Sequence, residues 1–90
     1  MYKVFYTTEA EKQIKRLDER LKLIIKQAVE EIGKDPSVGK PLTRELKGRF
    51  SYRAGDYRII YRAYHSEVVV LILTIGHRRD IYKKITRKGW

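Results

Sequence analysis

The spacing of apolar positions changes near the middle of the chain, from a helical period to strict alternation. Residues 2–6 (YKVFY) are short, rich in β-forming side chains and partly alternating, which predicts a strand. Thr8 followed by Glu11 has the spacing of a capping box, and Ala10, Ile14 and Leu17 then fall on one narrow stripe, so a helix is expected to start at Thr8. Asp18 is placed to cap a second helix. Leu21, Ile24, Ile25, Ala28, Val29 and Ile32 share one face of that helix, and Gly33 with Asp35-Pro36 end it. Two antiparallel helices therefore follow the first strand. Residues 38–47 read as a connecting loop, and from Phe50 onward the period is that of strands.

Turn chemistry then sets the register. If Gly55-Asp56 forms a hairpin turn, Ala54 lies opposite Tyr57, Arg53 opposite Arg58, Tyr52 opposite Ile59 and Ser51 opposite Ile60. Phe50, Tyr52, Ala54, Tyr57, Ile59, Tyr61 and Ala63 share one face, which takes the helices. Arg49, Ser51, Arg53, Arg58, Ile60 and Arg62 share the other, because side chains alternate across a strand. A second turn at His65-Ser66 brings residues 67–75 back antiparallel, with Val68, Val70 and Ile72 on the helix side and Val69, Leu71 and Leu73 beside the arginines. This last strand is apolar on both faces and so belongs inside the sheet. The expected fold is a single α+β domain over residues 1–90: an N-terminal strand, a helical hairpin and a three-stranded antiparallel meander, with the helices on one face of a four-stranded sheet.

Charge gives the second face a meaning. The chain carries 21 Lys and Arg against 11 Asp and Glu, a formal net charge of +10 over 90 residues. Residues 1–39 hold eight cations and seven anions, whereas residues 40–90 hold thirteen and four, so nearly all the excess lies in the meander half. Such a block suits a polyanion, since neutralising phosphates releases counterions. Arg53 facing Arg58 costs energy unless an anion joins them, and an apolar patch of Val69, Leu71 and Leu73 rimmed by charge suits a partner. There is no cysteine, and His65 and His77 stand alone, which argues against a disulfide framework or a zinc finger. The longest apolar run, residues 68–73, is far below the roughly 20 residues of a membrane span. A soluble cytoplasmic protein without a cofactor or membrane contact is the expectation.

Leu46-Lys47-Gly48, the segment Ser51-Tyr52-Arg53-Ala54-Gly55-Asp56-Tyr57-Arg58-Ile59-Ile60-Tyr61, and Ile75-Gly76-His77-Arg78-Arg79-Asp80-Ile81-Tyr82 together resemble the RelE branch of the RelE/ParE toxin superfamily. The resemblance spans almost the whole chain. It implies the toxin of a type II toxin-antitoxin pair: a ribosome-dependent, metal-independent endoribonuclease that cuts messenger RNA in the A site and is held by a cognate antitoxin. By position, Arg58, Arg78 and Tyr82 match the family's catalytic residues. The family's basic pair on the preceding strand falls on Arg49 and Ser51, so one cation is kept and one is not, and Arg49, Arg53 and Lys47 are left to substitute electrostatically.

The chemistry such an enzyme needs can be stated independently. A ribose 2′-OH must attack in line, the extra charge on phosphorus must be stabilised, and a proton must reach the departing 5′ oxygen, leaving a 2′,3′-cyclic phosphate and a 5′-OH. Arginine forks suit the charge, and a tyrosine phenol among cations suits the proton. His77 is the alternative acid-base residue, set against a structural role at a strand end. Lys47, Arg53, Arg62, Arg79, Lys83, Lys84, Arg87 and Lys88 are expected to hold RNA or ribosome by phosphate contact, and Val69, Leu71 and Leu73 to face the antitoxin. Two alternatives share the fold. One is a ParE-like inhibitor of DNA gyrase without nuclease activity, which Arg58, Arg78 and Tyr82 disfavour; the other is a degenerate member that only binds nucleic acid, which Ser51 would favour.

Overall fold

The computed structural model describes residues 1–83. Strand β1 (Lys3–Tyr6) runs into helix α1 (Thr8–Lys15) and then α2 (Glu19–Lys34). The helix start differs from the capping-box expectation by one position. Thr7, in extended conformation, accepts the Ala10 amide at 3.1 Å and is the cap, while Thr8 is the first helical residue. Asp18 caps α2 as its spacing predicts, accepting the Leu21 amide at 2.9 Å.

Among the described residues the sheet has five strands, in the order β1-β5-β4-β3-β2, where β2 is Lys40–Pro41, β3 is Phe50–Ala54, β4 is Tyr57–Tyr64 and β5 is Val69–His77. This corrects the four-strand expectation. Lys40 and Pro41 pair antiparallel with Ser51 and Phe50 inside the segment read as loop. So short a strand carries no alternation to detect, and its proline is tolerable because it lies at the edge. A single helical turn at Pro36–Val38 leads into that segment, and another at Arg44–Leu46 lies within it.

The β3–β4 hairpin has the expected register, Ala54 with Tyr57, Arg53 with Arg58 and Ser51 with Ile60. Gly55 takes φ +64°, which the hairpin turn requires and other residues resist. The next turn is longer than expected. Residues 65–68 form it, Tyr64 pairs with Val69, and Val68 sits in the turn at φ +56° with its side chain exposed rather than on the helix side of a strand. Strand β5 lies inside the sheet, parallel to β1 and antiparallel to β4.

Two cores result, one on each sheet face. Ala10, Ile25, Ala28, Val29 and Ile32 of the helices pack against Ala54, Ile59, Tyr61, Val70, Ile72 and Ile75. Tyr61 extends this core to the edge: its hydroxyl donates to Pro36 O and accepts the Gly39 amide at 3.0 Å. Burial pushes its phenol up to about 12. A Cβ at Gly39 would lie 2.2 Å from that hydroxyl, so only glycine admits the contact. On the opposite face Ile60, Leu73 and Ile81 form a second, small cluster, with Leu42, Leu46 and Leu71 packed on it.

Between the two cores β5 is irregular. Ile60 pairs with Thr74 but Tyr61 with Ile72, which leaves Leu73 as an extra residue, a β-bulge. The buried Thr74 hydroxyl is 2.7 Å from a Glu9 carboxylate oxygen and 2.9 Å from Gln13 Nε2, and Gln13 Oε1 accepts the Ile75 amide at 2.7 Å. Helix α1 is thereby bonded to the bulge.

Candidate active site on the cationic sheet face

The second cluster positions the chemistry. Ile81 is fully buried, and it can lie against β5 because Gly76 carries no side chain: a Cβ there would meet Ile81 Cδ1 at 2.8 Å. Fixing Ile81 fixes its neighbour. The Tyr82 hydroxyl donates to Ser51 Oγ at 3.2 Å, and Arg58 Nη1 donates to the same oxygen at 3.1 Å. Ser51 is only 1 % exposed, whereas Tyr82 is 37 % exposed and Arg58 half-buried, so the pair opens to solvent from a closed floor.

The family resemblance marks Ser51 as the place of a missing cation; in the structure it is the meeting point of two predicted catalytic residues. The available signal was its register opposite Ile60, which places it directly under the arginine face. With Oγ accepting from both Arg58 and Tyr82, the Ser51 proton remains for a third atom. A phosphate arriving here would meet the Ser51 proton and the remaining N–H groups of the permanently cationic Arg58, and the single Tyr82 proton reaches it by turning away from Ser51.

The other predicted residues lie around this centre. Arg78 is exposed, and its amide is tied to Asp56 O at 2.9 Å, which holds the end of β5 against the β3–β4 turn. Arg49 is half-buried and folds back, with Nη1 at 3.4 Å from both Glu45 O and Lys47 O. Arg53 is exposed and donates through Nε to Gly55 O at 3.1 Å, so Arg53 and Arg58 separate their charges toward different acceptors. His77 is a strand-end residue. Its Nδ1 lies 3.3 Å from the Arg79 amide and its ring meets Tyr57 edge-on at 5.9 Å, an arrangement that favours its structural role.

Lys47, Arg79 and Lys83 are exposed, and Arg62 is half-buried with its guanidinium 6.0 Å from the centre of the Tyr64 ring. Lys84, Arg87 and Lys88 lie outside the described residues. The expected apolar patch is smaller than its sequence suggests: Leu73 is only 4 % exposed within the Ile60 and Ile81 cluster, and Val69 and Leu71 remain partly open.

Comparison with known proteins agrees with this architecture. Residues 4–82 match the family model described as ParE toxin of type II toxin-antitoxin system, parDE. The chain is 41 % identical to Toxin RelG of Mycobacterium tuberculosis over 85 residues, covering 92 % of this chain and 98 % of that protein. Toxin RelE of the same organism is 31 % identical over 84 residues, covering 91 % and 87 % respectively. Among solved structures, the toxin-antitoxin complex RelBE2 from M. tuberculosis contains a chain that superposes with a TM-score of 0.76 at 39 % identity, over 86 % of this chain and 98 % of that one.

Proposed function

This chain belongs to the RelE/ParE superfamily of type II toxin-antitoxin toxins, and from that premise we propose that it is a ribosome-dependent, metal-independent endoribonuclease acting on messenger RNA in the A site. The convergence of Arg58 and Tyr82 on Ser51 Oγ carries the reading. A scissile phosphate seated over Ser51 has its developing charge met by the Arg58 guanidinium, with Arg78 closing from the end of β5. Tyr82 then gives its proton to the departing 5′ oxygen as the neighbouring 2′-OH attacks and loses its own proton to solvent water, so the products are a 2′,3′-cyclic phosphate and a 5′-OH.

Ser51 itself is a neutral hydroxyl and a poor proton acceptor, and a guanidinium is poorer still. Catalysis at this centre therefore rests on in-line positioning, charge stabilisation and proton delivery more than on a strong general base. The ribosome supplies the alignment of the message that so small and open a site lacks. A cognate antitoxin segment inhibits by covering the cationic face, with Val69 and Leu71 as its apolar contacts, in keeping with the RelBE2 relative, whose structure is a toxin-antitoxin complex.

Primer extension on a translated message, with and without ribosomes, tests the reading. Cuts at A-site codons only when ribosomes are present are the expected result, with the cyclic phosphate on the upstream fragment. An intact message under both conditions contradicts it, and directs the next assay to DNA gyrase, the target of the ParE-like alternative.

A further inference from the structure

The cationic face extends beyond the Ser51 centre onto β1, where the sequence signals no function. Parallel pairing sets Lys3 beside Val69 and Phe5 beside Leu71, and antiparallel pairing sets Val69 beside Tyr64 and Leu71 beside Arg62. Side chains paired in register share a face, so these six residues form two adjacent rows, Tyr64-Val69-Lys3 and Arg62-Leu71-Phe5. The rows have opposite order. Aromatic rings occupy one pair of diagonal corners and cations the other, over an aliphatic floor of Val69 and Leu71. Each cation also lies by the ring in its own strand: Lys3 Nζ is 6.0 Å from the Phe5 ring centre and the Arg62 guanidinium 6.0 Å from that of Tyr64.

Both rings face solvent. Phe5 is 48 % and Tyr64 38 % exposed, although each has an apolar neighbour on β5 against which it could have packed flat. No acidic residue is among the six. Single-stranded nucleic acid is recognised by this combination, with bases stacked on exposed rings and phosphates held by adjacent cations. Tyr64 lies four positions along β4 from Ile60, the residue opposite Ser51, or ~13 Å at the usual rise of a strand. A short stretch of message reaches both.

The geometry points to a base-stacking platform, Phe5 and Tyr64 with Lys3 and Arg62, that holds unpaired RNA on one side of the Ser51 centre. It deepens the proposed nuclease function and rests on that reading for the identity of its RNA, but it predicts binding that needs no cleavage. Its rings tolerate any base, because every base has a face to stack, so the platform adds affinity and alignment and little sequence preference.

The test is fluorescence anisotropy with a fluorescein-labelled single-stranded oligoribonucleotide, 2′-O-methylated so that it cannot be cut. Phe5→Leu and Tyr64→Leu each weaken binding about tenfold, whereas Phe5→Tyr and Tyr64→Phe retain it. Lys3→Ala and Arg62→Ala each flatten the slope of log affinity against log salt by about 0.7, the value for one phosphate of a single strand. Circular dichroism checks that each variant is folded. Wild-type protein that does not bind the oligonucleotide, leucine variants that bind like wild type, or equal binding of a duplex of the same sequence overturns the platform. Leucine variants that keep RNA affinity but escape neutralisation by the antitoxin overturn it as well, and assign the surface to the protein partner. The two readings fail separately. Ring-dependent binding without A-site cleavage would remove the nuclease and leave the platform, and cleavage by variants with undiminished RNA affinity would do the reverse.

Discussion

The two faces of the sheet solve different problems with the same strands. On the helix side, alternate residues of β3, β4 and β5 enter a closed core with α1 and α2, in which Ile32, Ile59, Val70 and Ile72 are fully buried. On the other side, among the described residues, the intervening residues meet a three-residue buried cluster, Ile60, Leu73 and Ile81, with Leu42, Leu46 and Leu71 packed on it, and cations, rings and hydroxyls lie around it. The first face holds the fold and the second holds Tyr82 over Ser51. Alternation lets the two be tuned separately, and a substitution should therefore disturb one property much more than the other.

The largest effects come from the centre of each face. Ile59→Ala empties a fully buried site, and urea denaturation should show a loss of about 2–5 kcal/mol, with cleavage per folded molecule nearly unchanged. Arg58→Ala should do the opposite: cleavage falls about 100- to 1,000-fold, as for loss of one transition-state donor, while stability changes by no more than about 1 kcal/mol. Equal loss of both properties in either variant would erase the distinction between the faces.

A smaller effect tests the link from core to chemistry. Gly76→Ala brings a Cβ to 2.8 Å from Ile81 Cδ1, which Ile81 can relieve by shifting and so moving Tyr82 from Ser51. Cleavage should fall roughly tenfold or more with a modest change in melting temperature. Comparable in size, but on stability rather than cleavage, is Tyr61→Phe, which leaves the Gly39 amide and Pro36 carbonyl unpaired at a cost of about 1–3 kcal/mol.

Tyr61 also carries a pH dependence. Its folded value, pushed up to about 12 by burial, lies above its unfolded reference near 10. Its contribution is therefore whole below the unfolded value and lost as pH rises through the folded one. Denaturation midpoints should drop across that alkaline window in wild type and drop less steeply in Tyr61→Phe.

The stabilising face was the more legible of the two in sequence. Strict alternation from Phe50 to Ala63, with a glycine where the turn needs positive φ, located the β3–β4 register and the side on which each arginine lies. Edge strand β2 was not legible, because two residues with a proline have no period. The Val68 assignment failed because a β-branched residue is a poor candidate for the left-handed turn it occupies. At the site, family resemblance named Arg58 and Tyr82, but the position of Ser51 between them needed the return of Ile81 across the sheet. Phe5 and Lys3 were invisible for the same reason: the parallel pairing of β1 with β5 joins segments far apart in sequence and leaves no local pattern.

The most direct test of the account is a single-turnover cleavage rate on ribosome-bound message for wild type, Tyr82→Phe and Ser51→Ala. Tyr82→Phe keeps the ring and removes only the hydroxyl that reaches Ser51. The predicted result is a rate about 100-fold lower for Tyr82→Phe, the contribution of a positioned proton donor, with message binding unchanged and a smaller loss for Ser51→Ala. A Tyr82→Phe variant that cuts at the wild-type rate would contradict the assignment of the Ser51 centre as the place where the chemistry occurs.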